Sequence, residues 1–161
     1  MRIVADSNMV GVAEAFGALG SVTLVPGREL RSEHVHRADI VLVRSVTAVD
    51  AQLLEGSSVS FVGSATSGFD HVDTDYLRAR GIDFAYAPGA NANSVLEYVI
   101  SAIASCDDYL ERLCAGATVG IVGFGVIGKR LAQRLDNIGI ACSAYDPWLE
   151  QGSDKRLVTL D

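Results

Sequence analysis

The fold of this chain is decided by residues 117–146, which read ATVGIVGFGVIGKRLAQRLDNIGIACSAYD. The stretch opens with an apolar, β-branched run, turns through three glycines, and then places apolar residues at helical spacing until Gly139 ends the pattern. A second apolar run, residues 140–145, follows and finishes on Asp146. We interpret this order as a strand, a glycine turn, a helix and a second strand.

The three glycines of this stretch, Gly123, Gly125 and Gly128, have the spacing of a dinucleotide-binding turn. In such a turn the first glycine permits the tight bend, the second lets a pyrophosphate approach the backbone, and the third lets helix and strand pack closely. Free N–H groups at the helix N-terminus then face the phosphates, so the anion needs no cationic side chain. The alternative is a glycine-rich turn of an α/β protein that binds no nucleotide.

Asp146 stands at the end of the second strand, where an acid completes the dinucleotide-binding pattern. A carboxylate at this place accepts hydrogen bonds from a ribose diol and repels a 2′-phosphate. The pattern therefore predicts NAD rather than NADP as the cofactor, unless Asp146 only caps its strand.

The composition fits one domain or two small lobes with a packed core, since 49% of the 161 residues are hydrophobic. Thirteen Lys and Arg against 20 Asp and Glu give a net charge of −7, which argues against nucleic acid as a partner. No apolar run reaches the length of about 18 residues that a membrane span needs, and no signal-peptide pattern opens the chain, so we expect a cytoplasmic protein. Three cysteines without CxxC spacing predict buried, reduced thiols and no metal site: Cys106, Cys114 and Cys142.

The N-terminal half alternates short apolar strands with short helical segments. Strands are predicted at residues 3–5, 22–25, 40–43, 59–62 and 82–85. The third of these is entirely apolar, as is typical of the buried middle of a parallel sheet. Strands that alternate with helices predict a doubly wound, parallel α/β sheet.

The alternation breaks at APGAN, residues 87–91, which we interpret as the boundary between a substrate-binding lobe, residues 1–92, and a partial nucleotide-binding lobe, residues 93–161. Ser94 and Glu97 have the spacing of a capping box, which predicts a long helix from Val95 to about Leu110. The apolar positions of this helix cover more than one stripe. We therefore expect burial on two sides, between the lobes or at a subunit interface.

Polar residues follow two of the predicted strands at their carboxyl ends, where ligands of open α/β sheets bind. Arg44 and Ser45 follow the third strand, and Thr66 lies in the loop after the fourth. The guanidinium suits a carboxylate or phosphate, and the hydroxyls suit a polar substrate. The same residues also fit turns, caps or an internal ion pair. His71, which lies among Asp70 and Asp73, fits a helix cap better than a metal or acid-base role.

Four segments resemble the D-2-hydroxyacid dehydrogenase family, in unbroken register over nearly the whole chain. They are VRSVT at 43–47, FVGSATSGFDHVD at 61–73, APGANANSVLEYV at 87–99 and TVGIVGFGVIGKRL at 118–131. The resemblance implies a flavodoxin-like N-terminal lobe, a partial Rossmann lobe, and NAD-linked oxidation of the C2 alcohol of a hydroxy acid. The RSVT, SAT and DHVD segments point to a branch that oxidises a phosphorylated sugar acid in pyridoxal phosphate synthesis.

Matching positions imply roles for individual residues. Ser45 and Thr66 match substrate contacts, and Arg44 is their neighbour. Val126, Ile127 and Asp146 match cofactor contacts. With the three glycines of the turn, the predicted cofactor-binding residues are Gly123, Gly125, Val126, Ile127, Gly128 and Asp146.

The resemblance assigns catalysis to an Arg, a Glu and a His whose positions lie beyond Asp161, so it places no catalytic residue in this chain. The three histidines present, His34, His36 and His71, do not match the family's base. We therefore expect the N-terminal part of an enzyme that is a homodimer when intact, inactive as the isolated part. The alternatives are another 2-hydroxyacid dehydrogenase and a non-catalytic NAD-binding module that dimerises through the long helix.

Overall fold

The computed structural model describes residues 1–150 and 152–159. The chain divides into two compact units, Met1–Pro88 and Gly89–Asp161, of which only the residues given above are described. The division falls in the stretch where the alternation of strands and helices breaks. That one unit serves the substrate and the other the nucleotide stays a prediction.

The first unit is built on a five-stranded sheet in which every neighbouring pair is parallel, in the order β2-β1-β3-β4-β5. This order is that of flavodoxin-like folds, and it confirms the predicted fold class. The central strand is buried on both faces because helices cover both sides of the sheet, which explains its apolar sequence. The strands are β1 Arg2–Asp6, β2 Ser21–Val25, β3 Ile40–Val43, β4 Phe61–Ser64 and β5 Asp83–Tyr86.

Short helices connect these strands, and their ends follow the local chemistry of the sequence. Asp73 caps the fourth helix by accepting from the backbone N–H of Tyr76 at 2.9 Å, and Gly81 ends it in a left-handed conformation with φ of 66°. The helices are α1 Val12–Phe16, α2 Ser32–Val35, α3 Ala51–Leu54 and α4 Thr74–Arg80, with a 3-10 helix at Gly27–Glu29.

Strand β4 lies two residues later than predicted, at Phe61–Ser64 instead of 59–62. Val59 precedes the strand but is a buried apolar residue, and in the sequence it therefore looks like a strand residue. The flanking Ser58 and Ser60 donate their hydroxyls to Ala38 O and Asp39 O, so this segment is held by side chains as well as backbone. The shift places Ser64 inside the sheet, where its side chain is buried.

The second unit contains the predicted strand, glycine turn, helix and strand. Strands β6 and β7 pair in parallel, with Val119 opposite Cys142 and Val122 opposite Tyr145. Leucines of the intervening helix pack on Ile121 and Phe124 to form the core. The elements are α5 Ala92–Ser105, α6 Tyr109–Cys114, β6 Val119–Val122, α7 Val126–Asn137 and β7 Cys142–Tyr145.

The predicted single helix from Val95 to Leu110 is wrong. It begins earlier, at Ala92, and a break with Asp107 at φ of 27° separates it from a second helix. Ser94 therefore lies within the first turn and forms no capping box. The Ser105 hydroxyl bonds back to Ser101 O, and two consecutive aspartates follow, both of which disfavour helix continuation.

The buried positions of α5 fall on a single stripe, and Tyr98 on another face is 75% exposed. Burial of a second side, between the lobes or at a subunit interface, stays a prediction. The predicted burial of the cysteines is wrong. Cys106 and Cys114 are exposed and Cys142 is half-buried, although buried thiols were predicted. Cys106 falls in the break between two helices, and α6 carries no buried residue, which explains both exposures. Among the described residues, no helix is both long enough and apolar enough to span a bilayer.

Candidate functional site

The glycine turn of the second unit gives each of its three glycines a different environment. Gly123 has φ of 93°, a conformation that favours glycine. A Cβ on Gly128 would lie 2.1 Å from the carbonyl oxygen of Gly123, so the helix approaches the turn as closely as backbone atoms allow. Gly125 precedes the helix, and a Cβ there would meet nothing within 4 Å.

Open space over Gly125 leaves the N-terminus of α7 accessible. This helix has twelve residues, and its first N–H groups lack intrahelical partners and carry the positive end of the helix dipole. Val126 is 49% exposed at this end, whereas Ile127 packs partly against the core. An anion placed above Gly125 could accept hydrogen bonds from these backbone groups.

Asp146 lies beside this turn and is bonded to it. Its Oδ2 accepts from the backbone N–H of Phe124 at 2.7 Å, and its Oδ1 accepts from that of Trp148 at 3.0 Å. These two hydrogen bonds, Phe124 first, lower the pKa of the Asp146 carboxyl, and the charge of Lys129 acts in the same direction. The carboxylate is ionised at neutral pH, and each oxygen keeps a lone pair for another donor. The six residues predicted to contact a cofactor are thus brought to one place.

The first unit holds a buried carboxylate at the carboxyl end of β1. Asp6 is fully buried; its Oδ2 accepts from Arg44 Nε at 2.8 Å, and its Oδ1 accepts from the backbone N–H groups of Asn8 and Gly27. Burial opposes ionisation, but the bonds from Asn8 and Arg44 outweigh it and lower the pKa of Asp6. Asp6 is therefore a fixed negative charge beneath Arg44.

Arg44 is thus an internal ion-pair partner, one of the two roles that its sequence allows. The pair uses Nε only, and the side chain remains 35% exposed. No hydrogen bond from Nη1 or Nη2 to the protein is found within residues 1–150 and 152–159. The outer edge of the guanidinium can therefore still bind an anion.

Thr47, the last residue of the RSVT segment, is structural. It is buried and donates its hydroxyl to Gly27 O at 2.8 Å, which fixes the turn after β3 to the end of β2. A cavity of about 350 Å³ adjoins this turn, with Thr47, Arg28 and Arg31 in its wall. Exposed Ser45 lies two residues before Thr47, in the same turn.

The sheet register places Ser45 and Thr66 at the same edge. Val43 pairs with Ser64 in neighbouring parallel strands, and the two hydroxyl residues each follow two positions later. Ala65 N–H donates to Val43 O at 2.9 Å and continues this pairing beyond the strand. No hydrogen bond joins Ser45 to Thr66 in the described part of the chain.

Thr66 belongs instead to a chain of hydrogen bonds. Its Oγ1 donates to Gly68 O at 2.9 Å and lies 2.8 Å from Ser64 Oγ, which in turn lies 3.0 Å from His71 Nε2. Burial lowers the pKa of His71, although the charge of Asp70 opposes this. His71 is therefore not part of the helix cap, which Asp73 supplies.

Sequence reasoning missed Asp6 and the contact between Ser64 and His71. A signal for Asp6 was present, because an acid directly after an apolar strand stands at the ligand edge of a parallel sheet. The two-residue error in strand position puts Ser64 in the polar loop after the strand, and no local signal indicated its burial or its contact with His71.

Comparison with known proteins defines the class. Residues 17–157 match the family model described as D-isomer specific 2-hydroxyacid dehydrogenase, catalytic domain. The chain belongs to this family, as the four sequence segments implied.

Two curated relatives within this family share high sequence identity with the chain. The chain is 50% identical to erythronate-4-phosphate dehydrogenase of Chromohalobacter salexigens over 147 residues, 91% of this chain and 38% of that protein. It is 45% identical to the Hahella chejuensis protein of the same name over 161 residues, 100% of this chain and 42% of that protein. The chain spans about two fifths of the length of these curated relatives.

A solved structure shows the same fold with a cofactor. The NAD⁺-bound 3-phosphoglycerate dehydrogenase of Entamoeba histolytica matches with a TM-score of 0.75 and 27% identity, over 99% of this chain and 57% of that one.

Proposed function

We propose that this chain is the N-terminal part of an NAD-dependent erythronate-4-phosphate dehydrogenase. The reaction removes the C2 hydrogen of 4-phosphoerythronate as hydride, which NAD⁺ accepts, and the hydroxyl proton, which a base accepts, to give the 2-oxo acid. The observation that carries the proposal is the Asp146 carboxylate bonded to the glycine turn at the open N-terminus of α7. The curated relatives at 45–50% identity support the choice of substrate.

In the second unit, the residues fit the pyrophosphate and adenine-side ribose of NAD. Backbone N–H groups above Gly125 would bind the pyrophosphate, with Val126 and Ile127 at the start of the helix beside it. Asp146 would accept from the ribose hydroxyls through its remaining lone pairs, and its charge would disfavour a 2′-phosphate.

In the first unit, we assign anion binding to Arg44 and hydroxyl contacts to Ser45 and Thr66. The Asp6 carboxylate holds Nε of Arg44, so the Nη groups are directed by a fixed pair and can form a fork with a carboxylate or phosphate. We assign proton transfer to the part of the relatives that this chain does not span. Because of the family resemblance, we also propose that the intact protein is a cytoplasmic homodimer with a role in pyridoxal 5′-phosphate synthesis.

Titration calorimetry with NAD and NADP tests the cofactor assignment. We expect NAD to bind more tightly than NADP, and Asp146→Asn to weaken NAD by about tenfold to a hundredfold while NADP changes less, since hydrogen bonds to a charged group contribute about 1.5–3 kcal/mol. The ratio of the two affinities is the decisive quantity, because any distortion of the turn affects both dinucleotides equally.

Glu150→Gln is the matched control, since it removes one exposed negative charge four residues away without touching the turn. An Asp146→Asn protein with an unchanged ratio would show that this carboxylate does not bind the ribose.

A further inference from the structure

The three hydrogen bonds around Thr66 fix the direction of every proton in them. A carbonyl oxygen only accepts, so the Thr66 hydroxyl donates its single proton to Gly68 O. The contact between Ser64 and Thr66 must then use the Ser64 proton. Because the Ser64 hydroxyl proton already forms the hydrogen bond to Thr66, the contact between Ser64 and His71 must use a proton on His71 Nε2.

Any other assignment leaves two acceptors facing each other without a proton. If His71 Nε2 were unprotonated, Ser64 would have to donate to it, and two hydroxyl oxygens would lie 2.8 Å apart with no proton between them. Ser64 is 4% exposed, so water cannot readily replace a missing partner, and an unsatisfied buried polar group is costly. The order His71, Ser64, Thr66, Gly68 O is therefore the arrangement in which all three contacts are hydrogen bonds.

This order decides what Thr66 can offer a ligand. Its oxygen has given its proton to Gly68 and has accepted one from Ser64, which leaves one lone pair and no donor. A free lone pair attracts a hydroxyl group and repels a carboxylate or phosphate oxygen. Arg44, on the neighbouring strand end, has the opposite character, with donors and no acceptor.

We infer that His71 is a positioning residue that, through buried Ser64, presents Thr66 as a hydrogen-bond acceptor for a hydroxyl group of the substrate. The inference rests on the proposed function for its ligand, a phosphorylated polyhydroxy acid. It divides recognition between two strand ends: Arg44 binds an anionic group, and Thr66 selects a carbon that bears a hydroxyl.

The tautomer of His71 tests the hydrogen-bond order directly in the unsubstituted protein. Long-range ¹H–¹⁵N spectra at pH 8 distinguish protonated from unprotonated ring nitrogens, and comparison with His71→Gln identifies the signals among the three histidines. We expect Nε2 to carry the proton and Nδ1 to be bare. A proton on Nδ1 alone would overturn the inference, whatever the protein binds.

Ligand discrimination tests the consequence. The probes are 4-phosphoerythronate and its 2-deoxy and 3-deoxy analogues, whose affinities are measured by calorimetry. We expect at least one missing hydroxyl to cost about threefold to tenfold, the range for one neutral hydrogen bond, and Thr66→Val to abolish that difference. Equal discrimination in the wild-type protein and Thr66→Val would overturn the assignment of Thr66.

Two substitutions separate positioning from a structural role. His71→Leu removes the donor, so the discrimination should fall, whereas His71→Gln supplies an amide donor near the same place and should restore it. Discrimination that survives in a folded His71→Leu protein would overturn the role of His71. If the wild-type protein binds none of the three ligands, the proposed substrate and the ligand part of this inference both fail, while the tautomer still decides the hydrogen-bond order.

Discussion

Gly128→Ala should destabilise the second unit, because the added methyl meets backbone and not a flexible side chain. The Cβ would lie 2.1 Å from Gly123 O, whereas ordinary contact begins at 3.4 Å. Relief requires the helix to move away from the turn by about 1 Å, against the packing of Leu131 and Leu135 on the core.

The magnitude follows from two opposing effects. Overpacking costs about 1–3 kcal/mol, and contact with a backbone carbonyl places Gly128→Ala at the upper end. Replacing a glycine inside α7 by alanine returns about 1 kcal/mol of helix propensity. The clash exceeds the propensity gain, so we expect a net loss of about 2 kcal/mol in the free energy of unfolding.

Native-state hydrogen exchange at the amides of β6 and α7 is the appropriate assay, because it reports the second unit separately from the first. Gly120→Ala is the control, since a Cβ there meets nothing within 4 Å and should change stability by less than about 1 kcal/mol. Gly125→Ala should likewise leave stability intact while weakening NAD. A Gly128→Ala protein as stable as Gly120→Ala would refute the close-packing argument, and unchanged NAD affinity in Gly125→Ala would refute the pyrophosphate assignment.

Two other properties of the chain can be measured without ligand. Asp6→Ala should lower the free energy of unfolding, measured by urea denaturation, by about 2–3 kcal/mol, which is less than for a fully buried pair because Arg44 is 35% exposed. The control is Asp75→Ala, which removes an exposed ion pair and should cost under about 1 kcal/mol. Equal losses in the two variants would contradict the reasoning. Because the pKa of Asp6 is lowered in the folded state, its contribution is present above about pH 4 and is lost as the pH falls through the folded pKa, so the Asp6→Ala difference should shrink in acid. With a chromogenic disulfide reagent, exposed Cys106 and Cys114 should react faster than Cys142, whose pKa burial raises; three equal rates would contradict the thiol environments.

The elements that could be predicted from the sequence are those whose signal is local. Strand β3 was placed correctly at residues 40–43 because four consecutive apolar residues are typical of a buried central strand of a parallel sheet. The glycine turn was placed correctly because its conformation, spacing and following helix are encoded within one short stretch. The family resemblance then supplied what local patterns cannot, namely a chemical role for strand-end residues.

The features that could not be predicted depend on contacts across the fold. Asp6 and Arg44 are 38 positions apart, and only the parallel pairing of β1 with β3 brings them together. The break in the long helix arises from a serine back-bond and a left-handed aspartate within an otherwise apolar pattern. Ser64 was misplaced because a buried valine outside the strand imitates a strand residue.

The hydrogen bond from the Phe124 N–H to the Asp146 carboxylate holds the acid and the glycine turn together. Because the acid and the turn are aligned before a ligand binds, the protein loses less conformational entropy on binding a dinucleotide than a flexible loop would lose. If Asp146 binds the ribose as proposed, this hydrogen bond joins the two proposed subsites, and a substitution at Asp146 also changes a contact of the turn. A double-mutant cycle of Asp146→Asn with Gly125→Ala then measures how far the two subsites are coupled.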